Sequence, residues 1–251
     1  MRLTLRIWRQ PGSTARGAFE TYTLRDVRPE LSLLEALDQL NDELVAEGRE
    51  PVAFDSDCRE GICGACGITV DGVPHGPTPN TPSCRQHVRS FADGSTLTLE
   101  PFRAASFTVI KDLTVDRGGL GRIVEAGGFV SIDTGTAPDA DGQLVAQRTA
   151  EAALDMAACI GCGACVAACP NGSANLYTGA KLAHLASLPT TRAERSLRAR
   201  RMVEATEAEF GPCSLFGECT RVCPAQIPLE AIAALSYERL RGVVRGPSRD
   251  D

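Results

Sequence analysis

One stretch constrains this chain more than any other: Cys159-Ile-Gly-Cys162-Gly-Ala-Cys165-Val-Ala-Ala-Cys169-Pro170. It reads C-x2-C-x2-C-x3-C-P, the spacing by which thiolates hold cubane iron–sulfur clusters. Its first three cysteines share a loop tight enough to aim three sulfurs at one small inorganic core. Gly161 and Gly163 let the backbone close around that core and turn N–H groups toward its sulfides. The fourth, Cys169, comes after one more turn and points away, and in two-cluster proteins it ligates the other cluster. Such a stretch therefore demands a second segment, distant in sequence, that folds against it.

That segment is Cys213-Ser-Leu-Phe216-Gly-Glu-Cys219-Thr-Arg-Val-Cys223-Pro224, whose positions 213, 216, 219 and 223 repeat the offsets of 159, 162, 165 and 169. Phe216 stands where the second cysteine belongs. Exchange of the fourth cysteines gives one cluster four thiolates, from Cys159, Cys162, Cys165 and Cys223. The other cluster receives three, from Cys169, Cys213 and Cys219. A cubane corner without a protein ligand loses its iron easily, and a phenyl ring leaves no space for a substitute ligand. One [4Fe–4S] and one [3Fe–4S] cluster are expected. The alternative at the second site is a four-iron cluster with water on its open corner.

The N-terminal third carries a third group. Cys58-Arg-Glu-Gly-Ile-Cys63-Gly-Ala-Cys66 is a C-x4-C-x2-C run, and Cys84 is the nearby later cysteine. This is the plant-type [2Fe–2S] arrangement. Around it, Leu3–Arg9 and Phe19–Leu24 alternate as strands about a Pro11-Gly12 turn. Ser32 and Glu35 form a capping box ahead of Leu34, Leu37, Leu40 and Leu44 at helical spacing. Ile68–Gly72 reads as a short hairpin and Thr96–Glu100 as a closing strand. The stretch from Val73 to Pro82, with four prolines, reads as an inserted loop. Two strands, a helix, a cysteine loop and a last strand is the order of a β-grasp ferredoxin.

The fold class is accordingly α+β. A β-grasp plant-type ferredoxin domain is expected over residues 1–105 and an all-helical two-cluster ferredoxin domain over 106–251. Helices are expected over 116–128, 150–158, 180–188, 193–209 and 229–243, with an exposed loop from Ile132 to Gly142.

Eleven cysteines in 251 residues, grouped as C-x2-C and odd in number, fit disulfides poorly. Zinc is the competing reading of C-x2-C pairs. It needs complete sets of four, whereas these cysteines divide as four, four and three. A net charge of −6 argues against a nucleic-acid partner. The first residues lack the apolar core of a signal peptide, and no apolar run approaches a membrane span. The sequence thus suggests a soluble protein in a reducing compartment, reaching any membrane through a partner. Arg192, Arg195, Arg198, Arg200 and Arg201 read as a solvated helix face or a contact for an anionic surface. His75, His87 and His184 read as packing or surface residues. No nucleophile–base pair and no flavin or nicotinamide fingerprint occurs, so no catalytic residue is expected on this chain.

With all three motifs in place, the chain resembles the iron–sulfur subunit of the succinate dehydrogenase and fumarate reductase family. The resemblance covers nearly the whole sequence. It implies a flavoprotein partner with FAD and a membrane anchor subunit with the quinone site. Electrons would pass from FAD through [2Fe–2S], [4Fe–4S] and [3Fe–4S] to quinone. The family's direction of reaction can be succinate oxidation or fumarate reduction. It also implies a peripheral position on the cytoplasmic face of the inner (cell) membrane, held by the anchor. Two positions depart from many family members: Ala174 replaces a quinone-binding tryptophan five residues after Cys169, and Ser214 replaces a histidine after Cys213. Together with the loop before Cys84 and the segment 169–175, they suggest the subgroup with a single-chain dihaem b anchor and menaquinone. The alternative is the iron–sulfur subunit of a thiol:fumarate or heterodisulfide-type reductase. Those usually carry a complete second cysteine motif, which Phe216 breaks here.

Overall fold

The computed structural model describes residues 1–129 and 144–244. The loop expected from Ile132 to Gly142 lies outside them.

Strands β1 (Leu3–Arg9) and β2 (Ala18–Leu24) pair antiparallel, Leu3 opposite Leu24 and Arg9 opposite Ala18. Leu3, Leu5 and Ile7 all face the core, as the alternation requires. Helix α1 (Leu33–Ala46) begins at Ser32. The Glu35 amide donates to Ser32 Oγ, and the Ser32 amide donates to the Glu35 carboxylate at 2.7 Å, so the capping box is formed. Leu33, Leu34, Leu37, Leu40 and Leu44 are buried beneath it.

Hairpin β3 (Ile68–Val70) and β4 (Val73–Pro74) turns at Asp71-Gly72. Both turn residues have positive φ, the type I′ pattern that suits strand twist. Strand β5 (Thr96–Pro101) then enters the middle of the sheet, parallel to β1 and antiparallel to β3, giving the order β2-β1-β5-β3-β4.

The proline-rich stretch before Cys84 is packed onto the domain. His75 is buried against the Phe102 ring, and its Nδ1 lies 3.0 Å from Ser83 Oγ. Burial pulls its pKa down to about 3, so the ring stays neutral. Gln86, fully buried, donates to the carbonyls of Thr78 and Thr81. These contacts fix the 3-10 turn Ser83–Arg85 that carries Cys84.

After residue 106 the chain is not all-helical as expected. It opens with a hairpin, β6 (Val109–Lys111) and β7 (Thr114–Val115). Asp112 at its tip is buried and accepts hydrogen bonds from the amides of Gln10 (2.8 Å) and Ala53 (2.9 Å), with Arg9 Nε at 3.2 Å. Leu113 joins the core of the N-terminal sheet, while Phe107 and Val115 join the core of the helical region. Strands of three and two residues are too short to carry a period.

The helices follow as α2 (Gly118–Gly127), α3 (Gln147–Ala157), α4 (Ala164–Ala168), α5 (Asn175–Ala186), α6 (Arg192–Glu209), α7 (Glu218–Arg221) and α8 (Glu230–Val244). Helix α5 starts five residues before the expected Ala180, because Gly179 sits inside it. Glycine is a weak helix former, yet here it permits close approach: a Cβ would lie 2.2 Å from the Ala231 carbonyl oxygen on α8. Gly179→Ala should cost about 3 kcal/mol by overpacking against backbone that cannot yield. Roughly 1 kcal/mol returns from helix propensity. The net loss, about 2 kcal/mol by these two principles, should appear as a lower urea midpoint followed by circular dichroism and by bleaching of cluster absorbance.

The arginine stretch on α6 is not simply a solvated face. Arg195 Nε donates to Glu238 on α8 at 2.8 Å, and buried Arg198 donates to the carbonyl oxygens of Gly127 (2.9 Å) and Phe129 (3.2 Å). Among the described residues no helix is long and apolar enough to cross a membrane.

Candidate metal centres

The structure gathers the eleven cysteines into three groups, with no disulfide among them. The first is the loop of Cys58, Cys63 and Cys66 with Cys84 on its 3-10 turn. The amides of Glu60 (3.3 Å) and Cys63 (3.4 Å) donate to Cys58 Sγ, and the Ala65 amide donates to Cys63 Sγ at 3.4 Å. Hydrogen bonds from the Ile62 and Glu60 amides bring the Cys58 pKa down to about 7. Amides aimed at sulfur favour thiolate, the form that binds iron. Gly61 and Gly64 have positive φ, and Gly61 packs toward Pro82 beside Cys84. Cys63 is exposed, whereas Cys66 and Cys84 are buried.

The second group rings a pocket lined by Cys159, Cys162, Cys165 and Cys223 with Tyr177 and Ile227. Gly163 at φ 85° caps α4, so this short helix begins inside the motif and directs Cys165 inward. Cys162, Cys165 and Cys223 are buried. Burial pushes the Cys162 thiol up to about 12 and Cys165 well above its ordinary value. Thiolates in so apolar a hole persist only against compensating positive charge, which bound iron provides. The Ile227 amide donates to Cys223 Sγ at 3.4 Å.

The third group rings a second pocket, lined by Cys169, Cys213 and Cys219 together with Ser214, Leu215 and Phe216. Asn171 Nδ2 donates to the Pro212 carbonyl (3.0 Å) and to Ser214 Oγ (2.8 Å), tying the two arms together. Gly211 makes this possible, since a Cβ there would sit 1.8 Å from the Asn171 carbonyl oxygen. Phe216, which stands where the second cysteine of the motif would be, is among the residues lining this pocket. It lines the rim and is 60% exposed, beside Leu215 at 70%. Leu176 borders both pockets. Ala174 is buried at the start of α5.

Each pocket thus draws one cysteine from the other motif: Cys223 lines the first and Cys169 the second. Among the described residues no three His, Cys, Asp or Glu side chains converge where a single ion could be held. The thiols surround spaces, a donor set that fits clusters bridged by sulfide. The remaining histidines stay apart from these groups; His87 Nδ1 lies 3.0 Å from the Glu30 carbonyl oxygen, and His184 is on α5. Sequence reading missed Arg117, whose guanidinium touches two cysteine loops. Its partners are backbone carbonyls, which leave no mark in a sequence.

Residues 4–121 match the 2Fe-2S iron-sulfur cluster binding domain family, and residues 155–227 match the 4Fe-4S dicluster domain family. The succinate dehydrogenase iron-sulfur subunit of Bacillus subtilis is 28% identical over 223 residues, 84% of this chain and 82% of that protein. The fumarate reductase iron-sulfur subunit of Wolinella succinogenes is 29% identical over 174 residues, 66% of each chain. A chain of the Mycobacterium smegmatis Sdh1 complex in the apo form has the same fold, with TM-score 0.69 at 21% identity, covering 100% of this chain and 99% of that one. Residues 4–121 thus match one cluster-binding family and residues 155–227 another, and along most of its length this chain is similar to iron–sulfur subunits of succinate dehydrogenase and of fumarate reductase.

Proposed function

We propose that the chain is the electron-transfer subunit of a succinate:quinone oxidoreductase. In this reading Cys58, Cys63, Cys66 and Cys84 hold [2Fe–2S]. Cys159, Cys162, Cys165 and Cys223 hold [4Fe–4S], and Cys169, Cys213 and Cys219 hold [3Fe–4S]. The observation that carries it is the exchange of Cys169 and Cys223 between the two thiol-lined pockets. The clusters supply one-electron redox states; the protein supplies spacing, dryness and amide dipoles. Cys63, exposed at one end, suits entry of electrons from an FAD flavoprotein. The apolar rim of Leu215 and Phe216 at the third group suits a membrane anchor carrying the quinone site. The domain division proposed is 1–105, a β-grasp unit around the five-stranded sheet, and 106–251, the two-cluster unit.

The direction of this reading is succinate oxidation, with electrons delivered to quinone, and fumarate reduction is its alternative. The same wire run backwards gives fumarate reduction. The proposed anchor is a single chain with two haem b groups, the quinone is menaquinone, and the subunit lies peripherally on the cytoplasmic face of the cell membrane. Ala174 and Ser214 support this subgroup, because they stand where many family members carry a quinone-binding tryptophan and a histidine.

Iron analysis and EPR on the anaerobically purified complex test the ligand assignment. About nine irons per chain follow from the three cluster types, with a three-iron signal in the oxidised sample that disappears on reduction. Cys169→Ala should remove the three-iron signal and spare the four-iron cluster, whereas Cys223→Ala should damage the four-iron cluster. The opposite pattern would show that each motif serves its own pocket and would end the exchange reading.

A further inference from the structure

Between β7 and α2 lies Arg117, and its guanidinium is shared by carbonyls of two cysteine loops. Nη1 donates to Gly64 O at 2.6 Å and to Cys162 O at 3.0 Å, and Nη2 donates to Ala65 O at 2.8 Å. Gly64 and Ala65 lie between Cys63 and Cys66, while Cys162 belongs to the four-thiol pocket. The side chain is only 18% exposed. Asp55 pairs with it, with Oδ2 3.5 Å from Nη2 and Oδ1 accepting from Thr114 Oγ1 at 3.4 Å. Beneath the guanidinium the loops touch: a Cβ on Gly64 would meet the Ile160 carbonyl oxygen at 2.3 Å.

A guanidinium is planar, carries five donors in a fixed fork and stays charged. Three carbonyls bound to one such plane cannot move independently. Each electron that arrives on a cluster adds one negative charge, and a cation held away from water stabilises it more than bulk solvent screening would allow.

We propose that Arg117 is a positioning residue for electron transfer. It fixes the two-iron loop against the four-iron loop, and its charge favours the reduced state of both clusters. Asp55 opposes that charge in part and so trims the effect. The proposal rests on the cluster assignment given above.

Potentiometric EPR titration of the purified complex provides the test, with wild type, Arg117→Gln, Arg117→Lys and Asp55→Asn. In Arg117→Gln the reduced-to-oxidised ratio of both clusters, read at the wild-type midpoint, should fall about tenfold, equal to about 59 mV for a one-electron couple. Asp55→Asn should move the ratio the other way. Arg117→Lys keeps the charge but not the fork, so its midpoints should stay near wild type. Its spin–spin interaction between the two reduced clusters should be altered. A role in folding alone would not shift midpoints in opposite directions for the two charge changes. Unchanged midpoints in both Arg117→Gln and Asp55→Asn would overturn the proposal. If Arg117→Gln does not fold, Asp55→Asn and Arg117→Lys still decide it. A wild-type complex without the two-iron or four-iron signal would instead overturn the cluster assignment, before any variant is compared.

Discussion

On the proposed ligand assignment, Phe216→Cys should turn a three-iron centre into a four-iron one. Iron should rise from about nine to about ten per chain, and the oxidised three-iron signal should vanish. The reason is that the backbone repeat is intact and only the side chain differs. Gly217, which follows Phe216, caps α7 at φ 83°, just as Gly163, which follows Cys162, caps α4 at φ 85°. Two residues after the first cysteine, Gly161 has φ 67° and Leu215 has φ 57°. A leucine held in the left-handed region costs about 1 kcal/mol or more, so the turn is imposed by its surroundings. A thiol at 216 would therefore stand where Cys162 stands in the other pocket. Iron content unchanged at nine, with the oxidised signal retained, would mean that the second loop does not present residue 216 to the cluster.

Gly64→Ala should disrupt the junction between the two cysteine loops. The added Cβ would meet backbone atoms, Ile160 O at 2.3 Å and Cys162 N at 3.0 Å, at a φ of +72°. The left-handed conformation costs about 1–2 kcal/mol for an L-residue, and overpacking against backbone adds about 1–3 kcal/mol. A total of about 2–5 kcal/mol, from those two principles, is a large share of ordinary domain stability. The measurable result is a lower urea midpoint and faster loss of the two-iron absorbance. Gly72→Ala is the control, because its φ is +80° but nothing lies within 4 Å of the added carbon. It should show the conformational cost alone. Equal effects at the two glycines would mean that contact at the junction is unimportant.

The elements that read well from sequence are those with repeated or paired signals. The three cysteine runs, the Ser32–Glu35 capping box and the Asp71-Gly72 turn all appear where the residues put them. The elements that did not read are those whose reason lies elsewhere in the chain. The helix expected from Ala180 begins at Asn175, and Gly179 is needed inside it because the Ala231 carbonyl lies against it. Arg198 looked like surface charge, yet its acceptors are carbonyl oxygens seventy residues away in sequence, near Gly127. Hairpin β6–β7 is too short for periodicity, and its anchor is Asp112 capturing amides of Gln10 and Ala53. The place of Phe216 at the rim is not legible in the sequence, since exposure depends on how Leu215 and Gly217 aim the loop.

The crossing of Cys169 and Cys223 between pockets has a consequence for biogenesis. The four cysteines of the first group span residues 58–84. On the proposed assignment, that centre can be completed while later residues are still on the ribosome. The other two centres interlock, because each waits for a thiol from the opposite motif. The four-iron centre cannot be finished before residue 223, nor the three-iron centre before residue 219, has been made and folded back. Loading of iron at that step is therefore a checkpoint for the entire helical half, and a chain truncated before residue 223 would leave the four-iron centre one thiol short.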